Sequence, residues 1–597
     1  MCGIFGMIVS EGCQPDPLLV EKSTNSLIHR GPDDHGFFYK NQVALGSRRL
    51  AVIDLSSKGH QPMTYRNNTI VYNGEIYNYL EIRTELKRKG YAFDTNTDTE
   101  VVLAAYDCWG EDCVTFMNGM WAFAIYDPSR NRVFCSRDRF GIKPFYYTMI
   151  GLDFCFASEI KAFESNPDFD IQLNEGIAQD FLISGLQHHT NETFYKDVFH
   201  LGAGHHLIYD LEKANYQTKK YYSIGQLDEF EDLSFEEASE EFKNLLNDSI
   251  RLHRRSDVKI ATALSGGLDS SSVLGLQYLQ LTDQNKNKLE AINYDPNVER
   301  YDEQKYIKDL LEKYPVKLNA TSKSFRELYA TLDEVTKAQD EPLLSGSLLA
   351  QYEVFKLAKE KGIKVMLDGQ GADELLAGYG TYYPYFFKYI RTQKKRHLVS
   401  ELFGFFRHHP IPIGKLVDRF NKSTSYNQFL KLENSKAKIE DKIHNFRDYS
   451  IYMIQSGILP GLLQFEDRNS MAHSVESRVP FLDYRLVEFC MKLPPGFKIK
   501  NGVRKSILRN SMKTVLPNSI LKRYDKLGFV SPQQEWMEEN QIEFEEEIRK
   551  IVHKNPTIFD QKIIDFLTIT LEKKDRKHYP FLWRVLSFGR WMEQKLG

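Results

Sequence analysis

Cysteine is scarce in this chain, seven residues in 597, and no Cys-x-x-Cys pair occurs. The closest two are Cys108 and Cys113. So sparse and odd a set excludes a disulfide framework and a cysteine zinc site, and it points to a reducing compartment. An excess of charge of one sign is lacking too. The formal net charge is −3, which removes the electrostatic case for nucleic acid or an anionic membrane surface as a partner. No apolar run approaches the roughly 20 residues that cross a bilayer. No basic segment followed by an apolar stretch opens the chain, so no secretory signal is expected and a cytoplasmic protein is. Internal repeats and low-complexity tracts are absent as well.

What remains is ordinary for a globular protein: 42% hydrophobic and 27% charged residues. At 597 residues the chain is too long for one core, so at least two domains are expected. Residues 1–212 carry short β-like runs broken by turn residues, which predicts stacked sheets with helical cover. "MWAFAIYDPSRNRVFCSRD" (120–138) reads as two apolar runs around a hairpin turn. A polar, acidic stretch over 213–233 reads as a linker. A helix is predicted next, capped by Ser234 and Glu237, with Phe235, Ala238, Phe242, Leu245, Ser249 and Leu252 on one stripe. From 234 to 597, strand-like segments such as "LEAINYD" and "IKVMLDG" alternate with helical ones, implying a doubly wound parallel sheet. The last 200 or so residues are helical by pattern, with a break at "RHHPIPIG" (407–414). The aromatic run "YGTYYPYFFKYI" (379–390) lines a groove or simply packs.

Two short stretches carry chemistry. The first is the opening, "MCGIFGMIV". As an apolar run it reads as a buried strand with a core cysteine. Removal of Met1 would instead leave Cys2 with both a free α-amine and a thiol, a nucleophile with its own general base. The second is "SGGLDSS" (265–271), between a predicted strand and a predicted helix. Gly266 and Gly267 allow a tight turn whose amides face an anion. The helix start favours phosphate, and the hydroxyls of Ser265, Ser270 and Ser271 add donors. Asp269 beside a phosphate calls for an intervening cation, naturally Mg²⁺. No Gly-Lys-Ser/Thr follows, which argues against ordinary γ-phosphate transfer. The adjacent pairs His188–His189, His205–His206 and His408–His409 point apart on any regular element, so metal chelation is not expected.

Read together, the motifs resemble those of the glutamine-dependent asparagine synthetase family over nearly the whole chain. The first half carries "CGIFG", "HRGPDD" (29–34), "SRRLAVIDLS" (47–56), "YNGEIYNY" (72–79), "TDTE" (97–100), "RDRFGIKPFYY" (137–147) and "FASEIKA" (156–162). The second carries "LSGGLDSS" (264–271), "YDEQKY" (301–306), "QDEP" (339–342), "GADELLAGY" (371–379), "DRNSMAHSVESRVPFLDYRLVEF" (467–489) and "KLGF" (526–529). The resemblance implies an N-terminal-nucleophile αββα glutaminase sandwich followed by a pyrophosphate-releasing ATP-binding domain. It implies Cys2 as nucleophile, Asn73 and the Gly74 backbone as oxyanion donors, Arg49 for the glutamine carboxylate, and Asp98 with Glu75 for its ammonium.

In the second domain the resemblance implies ATP activating a carboxylate as an acyl-adenylate that ammonia then attacks. Leu264, Ile292 and Gly369, with Asp368 and the glycine turn, match nucleotide-binding positions. Asp269 and Asp373 match the Mg²⁺–pyrophosphate carboxylates, and Lys526 the lysine that stabilises charge during adenylation. Glu374, Arg468, Glu476 and Arg478 match supporting positions, with a structural ion pair (Glu476–Arg478) and an interdomain strut (Arg468) as the competing readings. An internal ammonia channel is implied as well, and a homodimer is left open. The likeness departs at Asp368-Gly369-Gln370, where many of these synthetases have Ser-Gly-Glu. Gln370 cannot take a proton at neutral pH. This leaves three readings: the base is dispensable, Asp368 substitutes, or the acceptor is a carboxylate other than aspartate, such as a sugar acid or a peptide side chain.

Overall fold

A computed structural model of the chain describes residues 2–596 apart from 226, 231, 287, 394, 409–425, 433–434, 438–442 and 525–530. The first strands run β1 (Cys2–Ile8), β2 (Asp34–Lys40), β3 (Val43–Arg49), β4 (Met63–Tyr65), β5 (Asn68–Ile76) and β6 (Gly119–Asp127). They continue with β7 (Arg132–Arg137), β8 (Tyr146–Ile150), β9 (Asp153–Ala157), β10 (Val198–His200), β11 (His205–Asp210) and β12 (Asn215–Lys220). They form two six-stranded sheets, ordered β10-β8-β9-β1-β3-β2 and β12-β11-β7-β6-β5-β4. All their pairings are antiparallel.

The alternation of side chains explains the layering. On β1, Ile4 and Ile8 enter the core between the sheets, while Phe5 and Met7 face the outer core with Val20 and Leu27. On β6, Ala122, Ala124 and Tyr126 point inward, and Trp121, Phe123 and Ile125 meet the apolar side of the helix Asp98–Trp109. Strands buried on both faces read as continuous apolar runs, which is how they look in the sequence. The predicted hairpin is β6–β7, closed through Pro128–Arg130.

The linker begins later than the composition suggests. Strand β12 lies within the stretch read as linker and pairs with β11. Its residues, Asn-Tyr-Gln-Thr-Lys-Lys, are all exposed. An edge strand with two wet faces has no hydrophobic alternation to betray it, and its lysines suit an edge. The helix Phe235–His253 has the predicted capping box. Its stripe shifts slightly: Leu246 and Ile250 join Ala238, Phe242, Ser249 and Leu252 in the core, and Leu245 and Phe235 are half-buried.

The second half holds the parallel sheet of β13 (Ile260–Ala263), β14 (Glu290–Tyr294), β15 (Lys317–Thr321), β16 (Val365–Leu367) and β17 (Glu476–Arg478). Their order is β15-β14-β13-β16-β17, and every pairing is parallel. The order reverses between β13 and β16, and such a switch point opens a ligand crevice at the strands' carboxyl ends. The run at 379–390 packs: Tyr382, Tyr383, Phe386 and Ile390 form a cluster with Phe405, Phe446 and Tyr449. Most of the break at 407–414 lies outside the described residues.

A buried ion network stitches the halves together. Arg30 Nη1 lies 2.7 Å from Glu159 and 2.8 Å from Asp467. Arg468 Nη1 lies 2.8 Å from Glu159 and 3.1 Å from Asp340, which makes it the interdomain strut that its charge allowed. His29 reaches Glu159 at 3.0 Å. Burial pushes the carboxyls of Asp467 and Glu159 up, but Arg30 with Lys143 outweighs it at the first, and Arg468 with His29 and Lys161 at the second. Both are held below the usual carboxylate range.

Groups depressed in this way stabilise the fold above their unfolded pKa and lose that contribution as pH falls through the folded value. Loosening of the seam is therefore expected below about pH 4, checked by thermal-shift midpoints across an acid series. Arg468→Met would take one buried counter-charge from Glu159 and Asp340 together. A loss of about 3–5 kcal/mol is expected in urea unfolding.

Candidate active sites

The first cavity forms where the two antiparallel sheets meet, at the start of β1. Register sets Cys2 directly opposite Arg49 on β3. Asn73, Gly74 and Glu75 arrive on β5 of the other sheet, and the Cys2 backbone nitrogen donates to Asn73 Oδ1 at 3.0 Å. The pocket, about 30 Å³, is lined by Cys2, Arg49, Gln61, Gly74, Glu75 and Asp98 among others. All the residues predicted for glutamine handling therefore converge on one place.

Each is positioned by its surroundings. The Arg49 guanidinium donates to the carbonyls of Ser56 (3.1 Å), Ile53 (3.3 Å) and Asp54 (2.5 Å). It lies against Gly59, where a Cβ would fall 2.0 Å from Nη2. A Cβ on Gly74 would fall 2.3 Å from the Met120 carbonyl, so only glycine fits beside the pocket. Asp98 opens a helix capped by Thr97 and accepts from Tyr72 Oη (2.8 Å) and the Ile76 amide (2.9 Å). Asn73 Nδ2 is buried with no hydrogen-bond partner among the described residues, so it is a donor held ready for an acceptor.

Burial pushes the Cys2 thiol up, against the opposing pull of the chain's amino end and Arg49. Glu75 is raised well above the carboxylate range by burial and by Asp98, and Asp98 is raised by burial. Two carboxyls stripped of water and of a full counter-charge favour a cation between them.

The second cavity, about 220 Å³, sits at the switch point of the parallel sheet. The turn after β13 supplies Leu264, Ser265, Gly267, Asp269 and Ser270; β14 supplies Ile292; the loop after β16 supplies Asp368, Gly369, Gln370 and Asp373. Gly266 makes the turn, with φ +73°, but does not line the cavity. Lys526 lies outside the described residues. Burial raises Asp368 to about 6.

Sequence reasoning missed Lys505. Its ammonium lies 2.5 Å from Asp269 and 2.6 Å from Asp373, so it joins the two predicted metal carboxylates. It holds a left-handed backbone conformation, φ +55°, directly before a helix. Such strain in a non-glycine residue gathers at functional sites. Arg504, Arg509 and Arg523 also line the cavity. The only sequence signal was a basic run, "RKSILR", which reads equally as a solvated face.

One residue bridges the linings of the two cavities. The Arg478 carbonyl accepts from the Asp368 amide at 2.9 Å, while Nη2 lies 3.2 Å from Glu75 and Nε 2.6 Å from Glu476. Burial raises the Glu476 carboxyl, but Arg478 outweighs it and holds it at about 2. The predicted structural pair is thus real, and it reaches across to Glu75 of the first cavity. Glu374 accepts from Tyr379 Oη at 2.5 Å, beside the cavity rather than in its lining.

Two antiparallel sheets closing over a near-terminal cysteine, joined to a parallel sheet with a glycine turn at its switch point, define a two-domain amidotransferase architecture. A glutamine amidotransferase domain model matches residues 1–222, and an asparagine synthase model matches residues 241–593. The chain belongs to the asparagine synthase family. It is 31% identical over 556 residues to asparagine synthetase (glutamine-hydrolyzing) 3 of Bacillus subtilis, covering 88% of this chain and 86% of that one. Asparagine synthetase (glutamine-hydrolyzing) 1 of the same organism is 28% identical, covering 99% and 96%. A putative asparagine synthetase of Methanocaldococcus jannaschii is 36% identical over 405 residues, covering 64% and 76%.

Proposed function

We propose that this chain makes asparagine from aspartate, ATP and glutamine, releasing glutamate, AMP and pyrophosphate. The observation that carries the reading is the bridging through Arg478 of two unlike cavities, a small one that gathers Cys2, Arg49, Glu75 and Asp98 and a larger one at the glycine turn of the parallel sheet. In the first, the Cys2 thiol attacks the glutamine amide carbon once its proton passes to the α-amine freed by loss of Met1. Asn73 Nδ2 and the Gly74 amide receive the developing oxyanion. Arg49 takes the substrate carboxylate, and Glu75 with Asp98 takes its ammonium. Ammonia leaves, and water releases glutamate from the thioester.

In the second, Leu264, Ile292, Val354, Phe355 and Met366 offer an apolar wall for adenine. Ser265, Gly267 and Ser270 face the phosphates, and Gly266 shapes the turn that places them. Lys505 and the arginines offset charge that develops as pyrophosphate departs. Lys526 is proposed to share that task.

The residues present fit Mg²⁺. Asp269 and Asp373 are hard oxygen donors close enough to share one ammonium, and a Cβ on Gly378 would sit 1.7 Å from Asp373 Oδ1, which leaves those oxygens a cradle. Among the described residues no group of three or more His, Cys, Asp or Glu could hold a metal, in keeping with an ion that borrows the rest of its shell from phosphate and water. When bound, Mg²⁺ would neutralise phosphate charge and orient the leaving group. A cytoplasmic setting and a homodimer belong to the same proposal. Among the described residues no helix is long and apolar enough to cross a membrane.

Aspartate is the expected acceptor, supported by relatives named for asparagine synthesis. A panel of carboxylic acids, scored for pyrophosphate release with MgATP and glutamine, tests it. Aspartate should stand out and yield asparagine. Release driven by another acid, with none from aspartate, would overturn the assignment.

A further inference from the structure

Gln370 lines the nucleotide cavity where a proton acceptor is wanted, and an amide cannot be one at neutral pH. The chemistry still demands an acceptor. When ammonia's nitrogen bonds to the acyl carbon, the bond from that carbon to the adenylate oxygen breaks, AMP leaves with the electron pair, and one N–H proton must go elsewhere. The side chain behind Gln370 is Glu466. It lies on the helix Leu459–Ala472, is 2% exposed, and accepts from Ser477 Oγ of β17. The charged and polar groups around it come from every neighbouring element: Asp368 and Gln370 after β16, Ser477 on β17, and Lys143 of the first domain. Glu476, also on β17, is taken up by Arg478. Asp467, the next residue, binds Lys143 at 3.3 Å and Arg30 at 2.8 Å, and Arg30 Nε donates to the Cys2 carbonyl at 3.1 Å. Glu466 thus packs against Gln370 of the second cavity's lining, one residue before the Asp467 that Arg30 ties to the Cys2 carbonyl.

We propose that Glu466 is the proton acceptor of the ammonia step, with the Gln370 amide as the neutral group that fixes the carboxylate beside the incoming nitrogen. The inference rests on the acyl-adenylate reading above. Asp368 is a poorer candidate, because its Oδ1 already accepts from the Gln370 amide nitrogen of the backbone at 3.0 Å, inside its own turn. Burial and the nearby Asp368 raise the Glu466 carboxyl well above the usual range, against Ser477, Lys143 and Gln370. That makes it a stronger base than a surface carboxylate. The sign follows: ionised Glu466 is lost as pH falls, so ammonia-dependent synthesis should rise with pH through an acid limb set by this group, after correction for the free ammonia present.

The test is Glu466→Gln in the full-length chain, with three readouts: glutamate release from glutamine, aspartate-dependent ATP–pyrophosphate exchange, and asparagine formed with ammonia as nitrogen source. Asparagine formation should fall about 10²–10⁴-fold and lose its acid limb, while the two partial reactions persist. Gln370→Glu added to Glu466→Gln should restore most of the rate by returning a carboxylate to the same spot from the other side. Undiminished asparagine formation in Glu466→Gln, or failure of the double variant to regain any, overturns the proposal. Absence of exchange in the unmodified chain would instead overturn the adenylation reading. Should Glu466→Gln lose both partial reactions through misfolding, Gln370→Glu alone decides. Two carboxylates in contact must shift the acid limb upward, and an unmoved limb counts against Glu466.

Discussion

Cys2→Ala is expected to abolish glutamate release from glutamine, by about 10⁴-fold or more, while asparagine formation from added ammonia continues. The size of the effect follows from the role. In the proposed mechanism the thiol forms the covalent intermediate, and among the described residues the pocket lining holds no second thiol: the other lining side chains are Arg49, Gln61, Glu75, Asp98, Tyr72, threonines and aliphatics. The variant should fold, because Cys2 lies in a strand held by its pairing with β3 and contributes little volume. The prediction has a second part. The Cys2 nitrogen sits 3.0 Å from Asn73 Oδ1, a fitting partner for a free ammonium or amine. Intact mass of the active protein should therefore lack Met1. Glutaminase activity in material that retains Met1 would show that the thiol is activated some other way.

Lys505→Met is expected to reduce aspartate-dependent pyrophosphate exchange by about 10²–10³-fold, the usual cost of removing one preorganised charge from a site where charge develops. The ammonium is almost fully buried between Asp269 and Asp373, and these carboxylates raise its pKa against the opposing effect of burial. A methionine preserves the volume and the apolar stem. What it removes is the cation that keeps two carboxylates together before nucleotide arrives, and that offsets phosphate charge afterwards. Glutamate release at Cys2 should be unaffected, because that pocket is built from the other domain. Equal loss of both activities would mean the variant has unfolded the chain. Unchanged exchange would reassign Lys505 to packing.

Most of the fold was legible because its signals are local. β6 and β7 announced themselves as apolar runs around Asp-Pro-Ser-Arg-Asn, and the helix Phe235–His253 by its capping box. The glycine turn at 265–271 lies where strand, turn and helix chemistry all agree. β12 was not legible, because an exposed edge strand leaves no alternation. The predicted site residues of each domain share a cavity or its rim, Lys526 aside, because motif spacing carries them. Lys505 was invisible because a lysine in a basic run looks the same whether it faces water or two aspartates. Glu466 was hidden for the opposite reason: one carboxylate in a helix carries no mark of what it will be pressed against.

The order of residues alone settled that a cysteine follows the opening methionine, that a glycine turn joins a strand to a helix, and that a glutamine stands where the similar synthetases have a glutamate, because those are properties of neighbours along the chain. Only the tertiary structure decided that Arg478 contacts a lining residue of each cavity, that Arg30 and Arg468 bind the halves through buried carboxylates, and that Glu466 packs against Gln370. Those pairings join residues 96 to 437 positions apart, and a charge's worth is set by what desolvates and faces it, which no local pattern encodes.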